Sequence, residues 1–131
     1  MEVPEGLDEE AREEYKYLLE VLEDYRRYVK DIGRLGLAAP NLLYYRDEVQ
    51  ESLDELRVRG VDPREVWLEV VALDNAVRAR ASEIVAEIGH ANFKQYQIVN
   101  DPPLSYWWWF LNRVVPGPAA PEPPSWQFWK R

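Results

Sequence analysis

Apolar residues recur along the first quarter of the chain at alternating steps of four and three, from Ala11 through Tyr15, Leu18, Leu22, Tyr25 and Val29 to Ile32. That is the spacing of a heptad seam, and it predicts a helix over residues 8–32. Asp8 stands where an N-cap belongs. Acids crowd the first turns, while Arg26, Arg27 and Lys30 gather toward the other end, as the helix dipole favours. Gly33 and Gly36 stop it.

A second stripe, Leu42, Tyr45, Val49, Leu53 and Leu56, predicts a helix over residues 41–59, closed by Gly60. Asp62, Pro63 and Glu65 then supply an N-cap, a proline at N1 and an acid at N3. The third seam runs Val66, Val70, Leu73, Val77, Ala81, Ile84, Ile88 and Ala91, with a stutter about Val77. Continued past Gly89 to Val99, this helix would be about 55 Å long at 1.5 Å per residue, roughly twice the second. Part of its seam is therefore expected to lie open to a partner.

Pro102 and Pro103 break the pattern, and residues 104–115 predict a short helix of about three turns. It carries Tyr106, Trp107, Trp108, Trp109 and Phe110 in a row. On an α-helical wheel the three indoles span about 200°, so no single face can bury them. Pro116 to Pro124 predicts an extended polyproline run, followed by Trp126, Phe128 and Trp129. Five of six tryptophans and seven of ten prolines fall in the last thirty residues. The fold class expected is all-α: an elongated antiparallel hairpin or bundle of three helices, a short aromatic helix and an extended proline-rich C-terminal arm. Residues 1–100 form the helical domain and 101–131 the docking arm. The arm's eight aromatics are the expected partner interface, docked chiefly on another subunit, and truncation after Val99 is expected to leave a soluble but assembly-incompetent body.

Composition narrows the chemistry. The 131 residues include no Cys, no Thr, four Ser and a single His, His90, which nearly excludes thiol, hydroxyl and imidazole catalysis. No cofactor fingerprint is present, so neither an enzyme nor a cofactor is expected. Twelve of sixteen basic residues are Arg, with one Met, a usage similar to that of heat-adapted proteins. The N-terminus has no signal-peptide pattern and no span reaches the ~20 apolar residues of a transmembrane helix, so a virion or cytoplasmic location is expected. The net charge of −8 opposes nucleic-acid binding over the whole surface. The first fourteen residues hold seven acids against Arg12, whereas residues 102–131 hold Glu122 against three bases. Such complementary ends suit a tail that docks near an N-terminus.

Two clusters carry candidate chemistry. Glu87 and His90 have the Glu-x-x-His spacing of di-iron bundles, with Glu83 one turn earlier. With one His per chain, a ferritin-like metal site would have to form across a dimer, with Glu20 or Glu23 as further ligands; a surface Glu beside a half-buried His ranks ahead. Arg26, Arg27, Lys30, Arg34, Arg57 and Arg59 are candidate phosphate contacts, for which ordinary i,i+4 pairing is the leading alternative. The functional expectation is a non-enzymatic assembly subunit that packs through its arm into an oligomer or filament. A ferritin-like bundle and a helical adaptor binding one partner through its aromatic tail are the rivals.

In its length, its long helices over residues 8–32 and 62–99, its Arg-rich helix faces, its heat-adapted composition and its terminal arm, the chain resembles the small helix-rich major capsid proteins of filamentous archaeal viruses. The resemblance implies a dimeric building block that wraps double-stranded DNA, with the six basic residues just named on the phosphates.

Overall fold

The N-cap expected at Asp8 is formed: its Oδ1 accepts the Ala11 N–H at 2.7 Å, and α1 runs Glu9–Lys30. In this computed structural model, which describes residues 1–116, α1 buries every expected seam residue from Ala11 to Val29 and adds Val21. A 3-10 turn, Gly36–Ala38, leads into α2, Pro40–Val58. Pro40 sits in the first turn, where its missing N–H leaves no helical bond unmade. The two helices lie antiparallel. At one end Tyr28 meets Tyr45 edge to face, with ring centroids 5.0 Å apart. At the other, Arg59 at the end of α2 reaches Glu10 at the start of α1 at 2.7 Å.

Gly60, at φ 77°, ends α2 as expected. The Val61 N–H then closes back on the Leu56 carbonyl at 2.8 Å, the wrapped-back bond of a Schellman cap. Pro63, one residue later than expected, caps the next helix through its backbone carbonyl, which accepts from Trp67.

The single 55 Å helix is corrected. Residues 64–100 form three helices: α3 Arg64–Ala79, α4 Ala81–Ile88 and α5 His90–Asn100. At the first break Arg80 leaves helical geometry (φ −112°, ψ 24°). Its guanidinium donates to the Ile32 carbonyl just beyond α1 at 2.6 Å, so the bend ties the two segments together. At the second break Gly89 adopts φ 94°, ψ 141°, a backbone region that side-chain-bearing residues avoid. With these bends most of the seam is buried within the chain: Val66, Val70, Val77, Ala81, Ile84 and Ile88 join one core with α1 and α2, together with Val85 and Phe93, while Leu73 is half-buried and Ala91 exposed.

A 3-10 segment, Trp107–Arg113, closes the described chain. Trp108, Trp109 and Leu111 belong to that same core, so residues 101–116 are integrated with the helices rather than set apart as an arm. The elements are all helical among the described residues, and no described helix is long and apolar enough to cross a membrane. Trp126, Phe128, Trp129 and the proline run from Gly117 lie outside the described residues.

Candidate interaction face around the aromatic strip

Beneath the strip lies a polar network that joins three helices. Arg46 of α2, 2% exposed, grips Asp74 of α3, 3% exposed, through two bonds: Nε to Oδ1 at 2.9 Å and a terminal nitrogen to Oδ2 at 3.0 Å. The Tyr25 hydroxyl of α1 donates to Asp74 Oδ1 at 2.7 Å, and burial beside that carboxylate pushes the phenol strongly up. Arg46 also donates to Gln50 at 3.1 Å. No buried side-chain polar atom among the described residues lacks a partner.

This network sets the seat of the aromatic strip. The Arg46 guanidinium lies 4.3 Å from the ring centroid of Trp108. The next residue, Asp47, accepts both indole N–H groups on one oxygen, Trp108 at 2.6 Å and Trp109 at 2.7 Å. Burial pushes the Asp47 carboxyl up, and the two indole donors work against that rise. Trp109, fully buried, is caged by Tyr44 and Tyr96, with centroids 4.9 and 5.7 Å away.

A 3-10 helix has three residues per turn, so i and i+3 share a line. The strip accordingly presents three lines, each with its own surroundings despite a local kink at Phe110. Trp108 and Leu111 face the core. Trp109 and Asn112 face α5, where Gln97 Nε2 donates to the Trp109 carbonyl at 2.9 Å and to Asn112 Oδ1 at 2.8 Å. Trp107, Phe110 and Arg113 face outward, with Arg78 stacked 3.9 Å from Trp107 and Arg113 4.5 Å from Phe110. The expectation that the five rings at 106–110 are covered by another subunit is thus corrected for Trp108 and Trp109, which their own chain buries. Tyr106 is half-buried and stacks on Trp108 at 4.6 Å.

The outward line walls a groove of about 450 Å³ between the strip and the α3–α4 bend, with Ala81, Leu104, Leu111 and Val114 completing the apolar lining. Leu104 and Val114 are 78% and 74% exposed. Arg78 and Arg113 stand in its wall, and neither forms an ion pair among the described residues. No acid lines this groove or its neighbour, which runs along α4 to Lys94, Val115 and Pro116. The opposite character marks the α1/α2 side, where seven glutamates of the two helices line one depression with Arg59. Burial and repulsion from Glu55 push Glu14 up there, and burial with Asp24 does the same to Glu48.

The remaining candidate residues have other occupations. Both Glu87 oxygens hold the α1–α2 connector: Oε1 accepts the Gly33 N–H at 2.6 Å, and Oε2 accepts those of Leu35 and Gly36 at 2.7 and 2.9 Å. His90 opens α5, and no group of three or more His, Cys, Asp or Glu is placed to hold a metal among the described residues. Within one chain, then, Glu87 is engaged by the connector rather than by a ligand set with His90. Arg26 forks onto Glu69 at 2.9 and 2.8 Å and also pairs with Glu23. Arg27 pairs with Asp24, Arg34 with Asp31, and Arg59 with Glu10 and Glu55. Arg57 pairs with Asp54 and lies over Trp67. Of the six, Lys30 alone makes no ion pair among the described residues.

Arg46, Asp47 and Asp74 were not singled out from sequence. A signal existed for two of them: Arg46 stands four after Leu42 and three before Val49, and Asp74 four after Val70 and three before Val77. Those are seam positions occupied by charges of opposite sign. No protein-family model, curated protein or solved structure matches the chain.

Proposed function

We propose that this chain is a non-enzymatic assembly subunit that joins other protein subunits through the groove face of its aromatic strip and the C-terminal arm that follows it. The observation that carries the reading is the outward line of the strip. Two of its three lines are consumed by the chain's own core, whereas Trp107 and Phe110, half-buried against that core, join the exposed Leu104 and Val114 along an apolar groove that no acid lines, in contrast to the glutamate-lined α1/α2 side. Surfaces of this kind, rimmed by arginine and free of acids, are typical of protein contacts. The reading stops at protein–protein assembly, because the arginines expected on a phosphate backbone are occupied by carboxylates of their own chain.

The test is the mass of the full chain in solution as concentration rises. Assembly is expected in the wild type and lost in Leu104→Glu/Val114→Glu, whose substitutions fall on exposed positions and leave the core intact. A double variant that assembles like the wild type overturns the proposal.

A further inference from the structure

Resting on that reading, we infer that the groove beside Trp107 and Phe110 receives the aromatic end of the arm, residues 126–129, from a second copy of the chain. Three observations converge. The first is fit: an apolar trough of about 450 Å³ with Arg78 and Arg113 in its lining suits flat aromatic rings, since Arg already stacks on Trp107 and Phe110 there and presents the same cation to an incoming indole. The second is supply. Beyond the described residues the chain offers Trp126, Phe128 and Trp129 within four positions, followed by Lys130 and Arg131, which a chain of net charge −8 can pair with carboxylates outside the groove.

The third is reach. Residues 117–124 include Pro118, Pro121, Pro123 and Pro124, a spacing that predicts a polyproline run of eight residues, about 25 Å long at 3.1 Å per residue. Its root, Pro116, stands two residues past Val114 in the wall of the groove itself. A run of that length is long enough to carry residues 126–129 to the groove of a neighbouring copy. Each copy then gives an arm and receives one, a head-to-tail contact that generates rings or filaments.

The experiment pairs two full-length variants. One has its groove blocked, Leu104→Glu/Val114→Glu; the other has its arm stripped, Trp126→Ser/Phe128→Ser/Trp129→Ser. Neither set touches a core residue described above, and circular dichroism verifies folding of both. Expected from analytical ultracentrifugation are larger species for the wild type, monomers for each variant alone and a 1:1 dimer for the mixture, because the blocked copy still carries an arm and the stripped copy still carries a groove. A mixture that stays monomeric overturns the inference. So does a stripped variant that assembles as the wild type does, and that result leaves the groove as an assembly surface for another contact. A monomeric wild type whose arm indoles are already shielded from a fluorescence quencher shows the arm on its own chain and overturns the inference. If the blocked variant assembles normally, the inference and the proposed function fall together.

Discussion

Arg46 and Asp74 meet as two parallel forks, bonded at 2.9 and 3.0 Å and together almost wholly removed from water. A buried pair of this kind adds little net stability over apolar residues of the same shape, but removing one partner strands the other charge in the core. Asp74→Ala is therefore expected to cost about 3–5 kcal/mol, read from urea denaturation, whereas Arg46→Met/Asp74→Leu recovers most of that loss. A double variant as unstable as the single would mean the pair itself, not the orphaned guanidinium, sets the cost. Tyr25→Phe, which removes one donor to the same carboxylate, is expected to cost about 1–2 kcal/mol.

Asp47 gives a pH dependence whose sign follows from its surroundings. Burial raises its folded pKa above the ordinary 3.8, so between those two values the native state holds more proton than the unfolded chain. Stability contributed at this site is greatest below that window and falls as pH rises through it. In Asp47→Asn, an amide oxygen accepts the indole donors without charge. The stability of wild type relative to Asp47→Asn is thus expected to improve as pH falls from 7 toward 4, measured as paired urea midpoints. A difference that stays flat or moves the other way contradicts the burial argument.

Glu87 has one clear job, holding the N–H groups of Gly33, Leu35 and Gly36 against α4. Gly33 and Gly36 are exposed, so water replaces part of what Glu87→Ala removes, and a loss of about 1 kcal/mol is expected. Amide exchange should accelerate at these three residues and not in α2. Uniform acceleration would show a global effect instead.

Stopping the chain after Val99 removes Trp108, Trp109 and Leu111 from the core. Burying two indoles and a leucine corresponds to about 10 kcal/mol at ~25 cal/mol per Å², comparable with the whole stability of a small domain. The truncated chain is expected to lose cooperative unfolding, contrary to the soluble body that the sequence suggests. A sharp calorimetric transition in the truncation would refute this.

The helices were legible where local rules decide them. Asp8, Gly60 and the Pro63 neighbourhood mark their boundaries to within one or two residues, since caps and glycine conformations act over a single turn. The breaks at Arg80 and Gly89 were less legible. Arg80 is a good helix former turned aside by a carbonyl 48 positions earlier, a tertiary contact no window of sequence contains. The strip misled for a different reason: at 100° per residue three consecutive indoles defeat any single face, but the 3-10 geometry actually adopted distributes them 120° apart, and two find cover at home. The charges at positions 46 and 74 were readable only as exceptions within an apolar stripe, and each makes sense once the other is opposite it.

The two indoles bound to Asp47 lie 61 and 62 residues downstream of it. Translation at about 5–20 residues per second separates their synthesis by roughly 3–12 s. For most of that interval α1 and α2 have been synthesised, while the strip that covers Arg46 has not. Closure of the molecule is thereby a late event in its own biogenesis, and the apolar surface offered to chaperones before release is set by where in the chain Trp108 and Trp109 were placed.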